Sequence, residues 1–275
     1  MKATFIGGGD MATAMAGGLV ARGVAPGSIG IVEPFAAQRD RLAERLPGVR
    51  LHPETDADAV SGADVVVMAV KPQQMRDAAR QLSPFIGAVP LVLTIAAGVR
   101  CADLARWLGG YTRIVRAMPN TPALIGAGIS GLYATSDVRR VAWAAVAVLE
   151  ACGEVFWCDR EADLDAVNAV SGNGPAYVFY FLEALEDAAI ELGLPADVAR
   201  TLALATFEGS VALARQSGAA PATLRANVTS KGGTTQAAIG ILDRASVRRI
   251  FADAVKAGAE RARELGDEFG TDREA

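Results

Sequence analysis

The sequence predicts an α/β fold, a doubly wound sheet domain followed by an all-α domain, and three observations predict it. From Ala3 to about Asp159, short valine- and isoleucine-rich runs alternate with helix-length segments, the pattern of a parallel sheet with crossover helices. A glycine cluster separates the first such run from the first helix. After Asp159 the strand signal stops, and apolar-periodic helices follow one another with glycine or proline between them. At 275 residues the chain exceeds a typical domain of roughly 100 to 200 residues, so residues 1–159 and 160–275 are read as two domains.

In chain order, strands are expected at Ala3 to Ile6, Ile29 to Val32, Asp64 to Ala69, Leu91 to Ile95 and Arg113 to Ala117. The helix from Met11 stops at Gly23, and the helix from Phe35 stops at Pro47 and Gly48, as C-terminal signals require. Ile125 to Tyr133 and Val155 to Cys158 read as further strands flanking one alanine-rich helix from about Asp137 to Ala151. The second half reads as helices at Glu161 to Val170, Pro175 to Leu192, Pro195 to Gln216, Pro221 to Asn227, Thr235 to Leu242 and Ser246 to Leu265, with a polar, frayed tail from Gly266. Segments such as TLALATFEGSVALA are apolar on every side and need burial beyond one small domain, which implies a homo-oligomer.

Composition excludes several classes of function. Hydrophobic residues make up 51% and charged residues 21%, enough apolar material for cores and no signature of disorder. The net charge of -4 supplies no basic stripe for a phosphate backbone, so nucleic acid is not expected as a partner. The longest apolar stretch, Ala88 to Val99, is broken by Pro90 and falls short of the ~20 residues of a membrane span. MKATFIGGG is too short for a secretory signal, and cytoplasmic residence is expected. Cys101, Cys152 and Cys158 form neither a CxxC pair nor an even set, and are read as small buried hydrophobes in a reducing compartment. The single histidine, His52, precedes Pro53 and is read as a surface loop residue; no metal site is expected.

Within ATFIGGGDMATAM, Gly7, Gly9 and Ala12 have the G-x-G-x-x-A spacing after a strand and at a helix start, with Gly8, Asp10 and Met11 between them. One glycine allows the turn, the next lets backbone approach a pyrophosphate, and the small third residue lets helix and strand pack closely: a Rossmann-like site. Asp10 opposes the charge of a phosphate and is read as the helix cap. About twenty residues on, Glu33 ends the second strand, where an acidic side chain holds ribose hydroxyls and repels a 2′-phosphate. Arg39 and Arg41 follow and favour a 2′-phosphate, so NADPH and NADH both stay open. Val70, Lys71 and Pro72 lie at the carboxyl edge of the next strand, where open α/β sheets bind ligands, and TIAAG and RAMPNTPALIGAGISGLY end strands as crevice walls. In the helical half, Ser171, Gly172, Asn173 and Gly174 precede Pro175 as a helix start with amides pointing outward. Ser230, Lys231, Gly232 and Gly233 precede Thr234 and Thr235 at another helix start able to cradle a small carboxylate.

Taken together, GGGDMA, AVKPQ, MPNTPA, SGNGPAY and SKGGTTQAAI occur in the order and at about the spacing of pyrroline-5-carboxylate reductases, and the chain resembles that family along nearly its whole length. The resemblance implies reduction of 1-pyrroline-5-carboxylate to L-proline, the last step of proline biosynthesis. It also implies a helical domain that interleaves with a partner subunit, so that the site forms at a homodimer interface, with a higher oligomer such as a decamer open. It assigns coenzyme contacts, NADPH with NADH as the alternative, to Gly7 through Ala12, Glu33, Val70, Lys71, Pro72, Ala97 and Asn227. The substrate carboxylate falls to Gly232, Gly233, Thr234 and Thr235, with Glu161 and the loop from Ser171 to Pro175 nearby. Asp10 stands where the family usually has asparagine, Asn173 where serine is usual and Lys231 where proline is frequent.

A missing catalytic histidine suits this chemistry, because an imine nitrogen protonates near neutral pH and needs an oriented hydride donor more than a strong acid. Thr235 is expected to hydrogen-bond that nitrogen and position the proton. Two rivals differ on particular residues. A 3-hydroxyacid dehydrogenase would need a catalytic lysine on the helix after the glycine-rich turn, and Pro175 to Leu192 has none. A nonenzymatic NADPH sensor would leave the two anion-ready helix starts without a purpose.

Overall fold

The computed structural model describes residues 1–271, which form two compact units: residues 1–173 with the chain from 258 onward, and residues 174–257. The first unit is built on an eight-stranded sheet of β1 (Ala3–Ile6), β2 (Ile29–Val32), β3 (Arg50–His52), β4 (Val65–Met68), β5 (Val92–Thr94), β6 (Ile114–Met118), β7 (Gly128–Tyr133) and β8 (Gly153–Trp157). Their order is β3-β2-β1-β4-β5-β6-β7-β8. All neighbours run parallel except β6 and β7, which are antiparallel. Around the sheet lie α1 (Asp10–Ala21), α2 (Ala36–Arg45), α3 (Ala57–Val60), α4 (Met75–Leu82), α5 (Cys101–Trp107), α6 (Ser136–Arg139), α7 (Trp143–Glu150) and α8 (Asp163–Val167).

Successive strand residues alternate between two cores, so the sheet is covered on both faces. Phe5, Val65, Val67, Leu91, Leu93 and Val115 join one core with Met15 and Leu19 of α1 and Val148 of α7. Ile6, Val66, Met68, Val92 and Ile114 join the other with Met75 and Leu82 of α4 and Leu104 of α5. This double burial is why the strands read as continuous valine runs. The strand order reverses between β1 and β4, whose carboxyl ends flank the crevice described below.

Several elements differ from the sequence expectation. His52 is not in a surface loop but ends the short strand β3 and is buried, its Nε2 without a hydrogen-bond partner. The helix expected over 137–151 is two pieces, because bonds from Val141 N–H to Val138 O and from Ala142 N–H to Arg139 O tighten the chain between α6 and α7. That tightening lets Val138 and Ala142 both reach the core. Of the stretch 125–133 only β7 is strand, preceded by a 3₁₀ turn at Thr121–Ile125.

The second unit contains α9 (Gly174–Glu191), α10 (Ala196–Ser217), α11 (Pro221–Asn227), α12 (Thr234–Arg244) and the start of α13 (Val247–Gly270). The expected frayed tail from Gly266 is instead helical to Gly270, and its remainder, 272–275, lies outside the described residues. Contacts within the first unit hold those last turns. Arg100 Nη2 meets Asp267 Oδ1 at 2.6 Å, Phe269 packs beside Gly98, and Arg106 Nη2 donates to Gly270 O at 3.0 Å, a cation placed at a helix C-terminus. Strands end at Trp157, yet 160–173 packs with the sheet, so the compact first unit extends to Asn173.

All three cysteines are free thiols; Cys152 and Cys158 are buried and Cys101 partly so. Burial pushes the Cys152 thiol up to about 11. The folded state therefore favours the neutral thiol, while the unfolded chain ionises it from pH ~9, so this contribution to stability is present below pH ~9 and lost between ~9 and ~11. Urea midpoints measured over that range should fall with rising pH, and less steeply for Cys152→Ala; parallel curves would show that Cys152 contributes nothing.

Candidate functional site

Gly7 leaves β1 with φ +103°, a left-handed turn, and a Cβ there would stand 2.9 Å from Val70 Cγ1 and 3.0 Å from the Ala69 carbonyl. Only glycine satisfies both the turn and the closeness of the two strand ends. Gly8 is tied on both sides: its N–H donates to Glu33 Oε2 at 3.1 Å, and its carbonyl accepts from Gln38 Nε2 at 2.8 Å. A Cβ at Gly8 would lie 2.6 Å from Leu42 Cδ1. Nothing of the protein comes within 4 Å of the place a Gly9 Cβ would take. Gly9 is the N-cap of α1, and no side chain caps that helix start. Asp10 is therefore not the cap expected from sequence but the first helical residue, exposed, because the turn already ends at Gly9. A held loop, an uncapped helix N-terminus and open space at Gly9 are the fit a dinucleotide pyrophosphate requires.

A crevice of ≈ 670 Å³ opens at this turn, lined among others by Gly7, Gly8, Gly9, Glu33, Val70 and Lys71. These residues, expected to meet the coenzyme, are thus brought together, whereas Asp10, Met11, Ala12, Pro72, Ala97 and Asn227 are not among its lining. Met11 and Ala12 lie in α1, Pro72 opens a 3₁₀ turn after β4, Ala97 follows β5, and Asn227 ends α11 in the second unit. Glu33 is buried, and its Oε1 also accepts from Phe35 N–H at 3.0 Å, so both oxygens bind backbone amides. Arg39 is turned inward, donating to the Glu33 and Pro34 carbonyls at 2.8 and 2.9 Å, while Arg41 stays exposed on α2.

On the far side of the sheet a buried arginine organises the approach to Ser171. Arg116 in β6 meets Glu161 Oε1 at 3.1 Å and Asp165 Oδ1 at 3.3 Å. Glu161 Oε1 also accepts from Cys101 N–H at 2.7 Å, which ties the start of α5 to the same cluster. Burial, then the Glu161 carboxylate, drives the Cys101 thiol far above its ordinary range. Glu161, expected near substrate, is thus first of all an ion-pair partner. Asn120, after β6, bonds Ser171 Oγ through Nδ2 at 3.1 Å and Ile129 N–H through Oδ1 at 3.0 Å. Sequence reading missed Arg116 and Asn120. The one available signal was a charge inside the apolar run RIVRAM, which only burial explains.

Ser171 to Asn173 is not the open turn expected before Pro175. α9 does begin at Gly174 with Pro175 in its first turn, but residues 168–172 form a π turn and Asn173 N–H donates to Asn168 O at 2.8 Å. Pro175 has no N–H for the Ser171 carbonyl, and widening the preceding turn by one residue absorbs that break. At Gly172 a Cβ would collide with Asn168 Oδ1, so the turn admits no side chain there.

In the second unit Gly233 is the N-cap of α12, with no side chain capping it, and Thr234 and Thr235 fill the first two helical positions. Gln236 Oε1 reaches back to Gly232 N–H at 2.6 Å, and Gly233 N–H donates to Ser230 O at 3.1 Å, so the loop is fixed by its own bonds. What remains is a helix start with amides and two hydroxyls suited to a carboxylate. Only Ala199 and Ala203 are buried among residues 174–257, while Phe179, Tyr180, Leu204, Val211, Leu213 and Ile241 are exposed. A helical unit with this surface has no core of its own, which is the state of a subunit lacking its partner.

Two family models match the chain: residues 161–265 fit pyrroline-5-carboxylate reductase dimerisation, and residues 2–98 fit NADP oxidoreductase, coenzyme F420-dependent. The chain is 42% identical over 270 residues to pyrroline-5-carboxylate reductase of Pseudomonas aeruginosa, covering 98% of each chain. It is 38% identical over 264 residues to that of Pasteurella multocida, covering 95% of this chain and 96% of the other. Among solved structures, a pyrroline-5-carboxylate reductase from Coxiella burnetii matches with a TM-score of 0.87 and 38% identity, over 96% of this chain and 98% of that one. Plasmodium falciparum pyrroline carboxylate reductase with NADP bound matches with a TM-score of 0.85 and 27% identity, over 97% and 98%.

The glycine geometry separates binding from stability. Gly9→Ala should leave the thermal midpoint within a few degrees yet weaken dinucleotide binding about tenfold or more, since the added methyl meets only ligand space. Gly8→Ala, which strikes Leu42, should lower the midpoint as well. Fluorescence titration with reduced dinucleotide and a melting curve for each variant check both; unchanged affinity in Gly9→Ala would remove the turn from the binding site.

Proposed function

The chain belongs to the pyrroline-5-carboxylate reductase family, and from that premise we propose how its residues serve the reaction. It is an oxidoreductase that reduces 1-pyrroline-5-carboxylate to L-proline, the last step of proline synthesis, with a nicotinamide coenzyme. Identity of 42% along 98% of the chain is the observation that carries this reading. The reduced nicotinamide supplies the hydride.

The chain's own residues do the rest. Gly7 to Ala12 receive the pyrophosphate at the start of α1, and Val70, Lys71, Pro72, Ala97 and Asn227 contribute further coenzyme contacts. Gly232, Gly233 and Thr234 hold the substrate carboxylate at the start of α12: the two glycines shape the loop, their own N–H groups bonded to Gln236 and Ser230, and the first amides of the helix favour an anion. Ser171 to Pro175 form a second wall of the substrate site, and Glu161 braces it through Arg116. Thr235 is the catalytic residue: its hydroxyl bonds the imine nitrogen and keeps the proton there, so that the ring carbon is electrophilic when hydride arrives.

NADPH is the coenzyme in this reading. Arg41 stands exposed on α2, after the β2 end that carries Glu33, where a guanidinium favours a 2′-phosphate. NADH is the second reading, because Glu33, Glu54 and Asp77 put three carboxylates on the crevice wall against the single cation Lys71. The dimerisation region makes the protein a homo-oligomer; a homodimer is the minimal unit proposed, a decamer the higher form, and the cytoplasm the compartment. Among the described residues no helix is long and apolar enough to cross a membrane.

A steady-state assay with pyrroline-5-carboxylate should show turnover with either dinucleotide and a higher kcat/KM with NADPH. Thr235→Ala should lower kcat by about 100-fold with coenzyme affinity intact. Unaltered kcat in that variant would take Thr235 out of the mechanism, and no turnover of the imine by wild type would defeat the reading itself.

A further inference from the structure

Asn120 lies in the MPNTPA stretch that the functional reading leaves as a crevice wall, and its side chain makes two bonds of opposite polarity. Oδ1 accepts from Ile129 N–H at 3.0 Å, and Nδ2 stands 3.1 Å from Ser171 Oγ. The first bond decides the second. A backbone amide can only donate, so the oxygen of the Asn120 amide must face Ile129 and its NH2 must face Ser171. That NH2 also only donates, which makes Ser171 Oγ the acceptor and leaves the hydroxyl hydrogen to point elsewhere. A hydroxyl that already accepts one bond is strengthened as a donor in the next.

Ser171 is well placed to use that hydrogen. It is half-buried, within the π turn at 168–172, and its neighbour Gly172 has no room for a side chain, since a Cβ there would meet Asn168 and Met118 of β6. The turn therefore lies close against the end of β6, which Asn120 follows. A donor hydroxyl suits a group that only accepts, and the substrate offers one such group, its carboxylate.

We propose that Asn120 is a positioning residue, which orients the Ser171 hydroxyl as a hydrogen-bond donor to the carboxylate of the cyclic imine. This rests on the reading of Ser171 as a substrate contact, and the experiment separates the two. Asn120→Asp keeps the shape and the bond to Ile129 but turns an acceptor toward Ser171, whose hydrogen it captures. Asn120→Ser, which introduces no charge, is too short to span both partners. Each should raise KM for pyrroline-5-carboxylate about tenfold or more, with KM for NADPH and the melting midpoint near wild type. The uncharged Asn120→Ser combined with Ser171→Ala should be no worse than Ser171→Ala alone. Wild-type KM in both Asn120 variants while Ser171→Ala loses affinity, or losses that simply add, would overturn the positioning role and leave Ser171 in the site. Wild-type KM in Ser171→Ala would overturn the reading beneath it. Should Asn120→Asp fail to fold, Asn120→Ser alone decides by the same outcomes.

Discussion

The crevice depends on one turn: Gly7, at φ +103° under Val70, lets the chain leave β1 and enter α1 while the end of β4 lies against it. A side chain at Gly7 would force the two strand ends apart just where the strand order reverses. The turn is also fixed from the other side, because Glu33 and Gln38 hold the Gly8 amide and carbonyl from the segment that follows β2. Loop order therefore precedes any ligand, and little conformational freedom is lost when an anion meets the amides at the start of α1. Glu33 ties the loop through both oxygens and still lines the crevice.

A second set of polar links orders the residues beyond β6. Arg116 is buried between Glu161 and Asp165, and removing a partner from such a cluster leaves a charge without compensation, a cost of about 3 kcal/mol. The cluster fastens α8 to the sheet, and the π turn that carries Ser171 follows α8 directly. Asn120 adds the final link. Buried side chains thus order the chain from β6 to Ser171, while at the crevice the glycine turn is held by the side chains of Glu33 and Gln38.

The strands and the dinucleotide turn were legible in the sequence because both depend on local pattern. Strands buried on two faces must be runs such as VVVM, and a turn with positive φ beside a close strand must be glycine. β3 was not legible, since RLH carries two polar side chains in three residues and pairs only with β2. The same misreading put His52 at the surface. SGNGP reads as a helix start for good local reasons, but the chain reaches it already wound as a π turn, which Pro175 favours and which leaves no room for a side chain at Gly172. Asp10 looked like a cap because aspartate often is one, yet Gly9 ends the turn a residue earlier. Arg116 meets Glu161 and Asp165, and Asn120 meets Ser171, 45 to 51 residues away, beyond the reach of any local pattern.

The first unit carries a crevice at the carboxyl edge of its sheet, and the second carries an uncapped helix start at Gly233 and an apolar surface that calls for a second subunit. The most direct measurement is the mass of the proline formed when the wild-type protein is given pyrroline-5-carboxylate and a nicotinamide coenzyme carrying deuterium at the transferable position. Proline one mass unit heavier, labelled at the former imine carbon, is the predicted result. Oxidation of the coenzyme without labelled proline, or no proline at all, would contradict it.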